Sequence, residues 1–182
     1  PSLFSAKSID TILTAVRTLL PLEHFAEVTL EANPGTFEAQ KFADFRAAGI
    51  NRLSIGIQSF NGMHLRALGR VHDDQQAHQA VKIARENFDN INLDLMYALP
   101  GQTLEEARND IETACTQGVT HISAYHLTIE PNTLFHRYPP QLPDDEHADA
   151  MQDMIEQITA SHQYRNYETS AFARPGKESR HN

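Results

Sequence analysis

The sequence predicts an α/β fold built on a parallel sheet. Three observations carry that reading. Short strand-like segments recur at intervals of about 25 to 40 residues, a helical pattern follows each one, and capping residues stand at the joints. The right-handed crossover rule then places the strands in one sheet with helices outside it.

The first element is a helix. Ile9, Ile12, Leu13, Val16, Leu19 and Leu20 repeat at helical spacing, and Pro21 stops them. Glu27–Glu31 reads as a short strand, Asn33-Pro34-Gly35 as its turn, and Thr36 as the cap of a helix that runs to Ala48 with Gly49 after it. Arg52–Gln58 is the second strand. A short helix around Met63–Leu68 ends at Gly69, and Asp73 or Asp74 caps a longer one to about Asn87. Ile91–Tyr97 is the third strand, followed by a Pro100-Gly101 turn and a helix that Thr103 caps and Gly118 closes. The fourth strand is His121–Thr128. Beyond it the pattern changes: Glu130–Pro143 is a Pro-rich loop, Asp144–His162 a helix with Met151, Met154, Ile155 and Ile158 inward, and Tyr164–Phe172 a final strand. Residues 1–143 thus form a β/α core, with 144–182 leading away from it. The sequence looks cut at both ends, with no strand before the first helix and no closing element after Arg180-His181-Asn182.

Composition excludes several classes. The formal net charge of −9 argues against a duplex-binding surface. No apolar run approaches the ~18 residues of a membrane span, and no signal peptide opens the chain, so a cytoplasmic protein is expected. The single cysteine, Cys115, falls within a helix and reads as a small buried hydrophobe; alone it makes neither a disulfide nor a thiolate metal site. The ten histidines form no pair at i, i+3 or i, i+4 spacing, and His121 and His126 face opposite sides of their strand.

Ligands of parallel β/α folds bind at the C-terminal ends of the strands. Here those ends carry Glu31, Gln58, the pair Asn92 and Asp94, and Tyr125 with His126. Asp94 stands out because it lies mid-strand between Leu93 and Leu95, where an unpaired carboxylate is costly. Two carboxylates and an amide suit vicinal hydroxyls and an ammonium group, and Arg70 supplies a bidentate partner for a carboxylate. The constellation therefore fits a nucleoside bearing an amino-acid tail. A non-nucleoside alternative is an aldolase or isomerase that uses Asp94 and His126.

Read together, several segments carry a resemblance. Glu31-Ala32-Asn33-Pro34-Gly35-Thr36, Gly56-Ile57-Gln58-Ser59-Phe60, Leu68-Gly69-Arg70-Val71-His72 and Asn92 through Thr103 (NLDLMYALPGQT) stand in order, joined by Leu127 through Thr133 and Tyr167-Glu168-Thr169-Ser170. They resemble the radical S-adenosylmethionine (SAM) proteins of the oxygen-independent coproporphyrinogen III oxidase-like family over essentially the whole chain. The resemblance implies a partial (β/α)6 barrel, incomplete at both ends here, and SAM contacts at Glu31, Gln58, Arg70, Asp94 and Tyr125. It also implies a [4Fe-4S] cluster on a C-x-x-x-C-x-x-C loop that this chain lacks, so the polypeptide by itself is expected to be inert. Gln58-Ser59-Phe60, the Leu127–Thr133 run and His181-Asn182 are more similar to the haem-chaperone branch than to the true oxidases. That branch implies haem as a ligand, His181 as a haem contact and a haem-acceptor protein as partner; the oxidase branch implies a porphyrinogen substrate.

Overall fold

A computed structural model of the chain describes residues 1–36 and 39–180. Its elements are α1 (Ala6–Leu19), β1 (Thr29–Ala32), a 3-10 turn (Pro34–Thr36), α2 (Ala39–Ala48), β2 (Arg52–Gln58), α3 (Gly62–Ala67), α4 (Asp74–Asn87), β3 (Ile91–Tyr97), α5 (Leu104–Thr116), β4 (His121–His126), α6 (Leu134–Arg137), α7 (Asp145–Ser161), β5 (Arg165–Glu168) and β6 (Ala171–Ala173). His181 lies outside the described residues.

The sheet runs β1-β2-β3-β4-β6-β5. Its first four strands are parallel and lie side by side in chain order. Such an order has no switch point, so successive right-handed crossovers put the helices on one face and leave the other bare. This is the wall of a partial barrel, as expected.

Helices α4, α5 and α7 form where their capping residues say they should, whereas Thr36, expected to cap α2, lies in the 3-10 turn and α2 begins at Ala39. Asp73 and Gln76 close a capping box on α4, Thr103 and Glu106 close another on α5, and Asp144 caps α7. Gly118 ends α5 at φ 69°, a left-handed position that a side chain resists.

One apolar core lies between the sheet and the helices. Leu30 and Ala32, Leu53, Ile55 and Ile57, Ile91, Leu93 and Leu95, and Ile122 and Ala124 supply its sheet side. Phe42, Phe45, Val81, Phe88, Ile111 and Met151 close it from outside.

Several elements depart from the sequence reading. The first strand begins at Thr29, not Glu27, because the Val28 amide donates to the Asn51 side-chain carbonyl instead of the ladder. β4 stops at His126, and the long loop after it contains the single turn α6, capped by Thr133. The largest difference is at the end. The segment read as one strand, Tyr164–Phe172, is a hairpin: β6 pairs antiparallel with β4, and β5 antiparallel with β6. Its turn is held by side chains, with Asn166 Nδ2 donating to the Glu168 carbonyl and Glu168 accepting from the Thr169 amide. Short-range hydrogen bonds of this kind leave no hydrophobic period to read.

Candidate functional site

The bare face of the sheet is polar. Along each strand the side chains alternate, so β1 presents Thr29 and Glu31, β2 Arg52 and Ser54, β3 Asn92 and Asp94, and β4 His121, Ser123 and Tyr125 on the side away from the helices. These residues line one cavity of about 390 Å³. A second cavity, about 500 Å³, shares Glu31, Ser54, Asp94 and Tyr125 with it and adds Gln58, Arg70, Asn33, Met96 and the first residues of the chain. All five residues singled out for SAM, Glu31, Gln58, Arg70, Asp94 and Tyr125, line that second cavity. Four come from the four parallel strands, and Arg70 comes from the turn between α3 and α4.

Asp94 is the most constrained of them. Ser54 Oγ donates to its Oδ2 at 2.8 Å and Asn92 Nδ2 to its Oδ1 at 2.8 Å. Burial raises its pKa above the ordinary carboxylate value; those two hydrogen bonds and the charge of Arg52 oppose the rise, and Glu31 adds to it.

Gln58 is placed by strain and by a hook. It sits at φ 63°, where a non-glycine residue costs on the order of 1–3 kcal/mol. The following turn is pinned to α5: Ser59 Oγ donates to Asp110 Oδ2 at 2.6 Å, and the Phe60 amide to Asp110 Oδ1 at 2.7 Å. The register shift between Gly56 and Gln58 follows from that geometry. Gly56 leaves room for the result, since a Cβ there would meet Gln58 Nε2 at 2.8 Å and Asn33 Oδ1 at 3.0 Å. Among the described residues, the buried Gln58 Oε1 has no hydrogen-bond partner, an acceptor held ready in the cavity wall.

Arg70 follows Gly69, its amide bonded back to the Leu65 carbonyl. Tyr125 is 45% exposed at the C-terminal end of β4. His126, its neighbour, points to the opposite face and stacks on Tyr97 at 5.4 Å between ring centroids. Asp94 and His126 therefore do not share a site, and the aldolase or isomerase reading loses its pair.

Sequence reasoning overlooked Arg52, Ser54, His121 and Ser123. The signal was present: RLSIGIQ, INLDLMY and HISAYH alternate polar and apolar residues, whereas strands covered on both faces read as continuous apolar runs. Arg52 is only 3% exposed, and its Nε has no partner among the described residues.

Cys115 is buried on α5, as expected. Burial pushes its thiol up to about 12; Arg174 opposes this and Glu112 adds to it. At neutral pH the thiol is then protonated. Iodoacetamide is expected to leave Cys115 unmodified in the folded protein and to alkylate it in denaturant, which mass spectrometry reads directly.

Comparison with known proteins places the chain in a family. The Radical SAM superfamily profile matches residues 5–114. The chain belongs to the radical SAM superfamily. Over its full length it is 50% identical to heme chaperone HemW of Escherichia coli and 49% identical to that of Haemophilus influenzae, in each case covering 48% of the relative. It is 36% identical to heme chaperone HemW of Bacillus subtilis. The chain thus spans about half the length of the curated relatives it matches. Among solved structures, the radical SAM enzyme coproporphyrinogen III oxidase (HemN) of Escherichia coli superposes with a TM-score of 0.87 at 25% identity, over 98% of this chain and 42% of that one. Archaeal Elp3 of Methanocaldococcus infernus shares the fold, at a TM-score of 0.64 and 16% identity over 72% of this chain.

The donor set can be tested against the groups that this superfamily implies. The unpaired Gln58 acceptor, the two carboxylates and Arg70 suit the hydroxyls, ammonium and carboxylate of SAM. A [4Fe-4S] cluster does not fit residues 1–182, which hold one cysteine, buried and protonated. No helix among the described residues is long and apolar enough to cross a membrane.

Proposed function

We propose that this chain forms the SAM-binding wall of a cytoplasmic radical SAM haem chaperone. The observation that carries the proposal is the convergence of Glu31, Gln58, Arg70, Asp94 and Tyr125 on one cavity at the C-terminal ends of parallel strands. Asp94 and Glu31 accept hydrogen bonds from ligand hydroxyl and ammonium groups, Gln58 Oε1 accepts one more, and Arg70 pairs with the ligand carboxylate. Tyr125 covers the adenine side. Bound SAM, together with a [4Fe-4S] cluster held by thiolates outside residues 1–182, supplies the radical chemistry typical of the superfamily. This chain's own part is to bind and orient.

The chaperone reading rests on identity. The chain is twice as similar to proteins named heme chaperone as to the superposed oxidase, 50% against 25%. Haem is then the second ligand, His181 a haem contact and a haem-acceptor protein the partner. The test uses the intact protein. Haem titration is expected to show binding that His181→Ala weakens at least tenfold, the loss of one strong ligand contact. Anaerobic incubation with coproporphyrinogen III and SAM is expected to yield no protoporphyrinogen. Product formation would instead assign the oxidase reaction, and unchanged haem affinity would remove His181.

A further inference from the structure

A chain of hydrogen bonds runs from Asp94 through the floor of the barrel to the C-terminal segment. Asn92 Nδ2 donates both to Asp94 Oδ1 at 2.8 Å and to Ser54 Oγ at 2.7 Å. Asn92 Oδ1 faces His121 Nδ1 at 2.7 Å and Ser123 Oγ at 3.2 Å. On the far side of the ring, His121 Nε2 lies 2.6 Å from Tyr167 Oη, and the Ser179 amide donates to that same oxygen at 3.1 Å.

The direction of the Asn92 bonds follows from chemistry. Reversing the Asn92 amide would turn its oxygen onto the Asp94 carboxylate, so Oδ1 must be the acceptor that faces His121. The proton therefore sits on Nδ1 of His121. In the neutral ring Nε2 is then a lone pair, which the Tyr167 hydroxyl fills while its oxygen accepts from Ser179. Asn92 is 2% exposed and His121 1% exposed, so water does not compete for these groups.

We propose that His121 and Tyr167 are positioning residues for the SAM site: through Asn92 they fix the rotamer and the donor pattern around Asp94, so that its carboxylate stays aimed into the cavity. This rests on the reading of Asp94 as a SAM contact. Tyr167 belongs to the Tyr167-Glu168-Thr169-Ser170 run, on the hairpin that pairs with the outer edge of β4. The hairpin thus supplies the Tyr167 hydroxyl to a relay that ends at the ligand.

The test has two arms in the intact protein. In histidine-¹⁵N-labelled wild type, NMR is expected to show a proton on Nδ1 of His121, the minority position in the neutral free amino acid. In Tyr167→Phe, the Nε2 resonance is expected to move toward that of an unbonded lone pair. Calorimetry is expected to show SAM binding about 3- to 10-fold weaker in Tyr167→Phe, as for loss of one neutral hydrogen bond. His121→Asn, which retains a donor toward Asn92, should bind SAM more tightly than His121→Leu. A purely structural role would change melting temperature without the ring signature or that rescue. An Nε2-protonated ring in wild type overturns the proposal whether or not any variant folds. Asp94→Asn is measured beside these variants. If it leaves SAM affinity intact, the SAM reading itself fails. If it weakens binding while Tyr167→Phe matches wild type, only the relay is wrong.

Discussion

Asp94→Asn in the intact protein is expected to bind SAM about 10- to 100-fold more weakly than wild type, the loss of one or two charged hydrogen bonds, with only a small change in melting temperature. The two halves of that expectation come from one environment. Burial raises the folded-state pKa of Asp94 above its unfolded value, so the folded protein holds the proton more tightly. The stability contributed by this group is complete below the unfolded pKa and is lost as pH rises through the raised value. Once ionised, the buried carboxylate costs stability; an amide of the same shape removes that cost but turns its NH2 toward Ser54 Oγ or Asn92 Nδ2, and the two effects offset. Asp94→Asn should therefore also flatten the stability profile in the window just above the ordinary carboxylate range. Isothermal titration with SAM and thermal melts across that window check both halves. Equal affinity would take Asp94 out of the site.

The neighbouring residue gives the opposite result. Leu93→Ala is expected to destabilise the protein by about 2–5 kcal/mol, because Leu93 is completely buried at the centre of the sheet and its removal leaves a cavity that rigid strands cannot close. Denaturant titration measures it. In the fraction that stays folded, SAM affinity is expected to match wild type, since the side chain points away from the cavity. One position along β3 separates a residue that serves the ligand from one that holds the fold. That contrast is a direct consequence of the two-residue strand period.

Much of the molecule was legible in the sequence. Strands β2 and β3 have the bounds their hydrophobic pattern predicts, and α5 and α7 begin just after their caps Thr103 and Asp144 as capping chemistry requires. The hairpin was not legible. β5 and β6 are four and three residues long, too short for a period, and their turn is set by Asn166 and Glu168 side chains bonding to the backbone. Residues Glu31, Gln58, Arg70, Asp94 and Tyr125 stand out in the sequence by their strand-end positions and motif order. Arg52, Ser54, His121 and Ser123 were not, because each alone looks like an ordinary strand residue.

The sequence alone determined the order of the β/α units, the buried face of each strand and the charged and amide groups at their ends. Periodicity and capping are local, so they survive without a third dimension. Only the tertiary structure decided that four polar strand faces converge on one lumen, that Asp110 pins the turn carrying Gln58, and that Tyr167 reaches His121 from a hairpin far along the chain. Those contacts join residues 46 and 51 positions apart. No local pattern encodes them; they exist because parallel strands packed side by side bring distant residues onto one face.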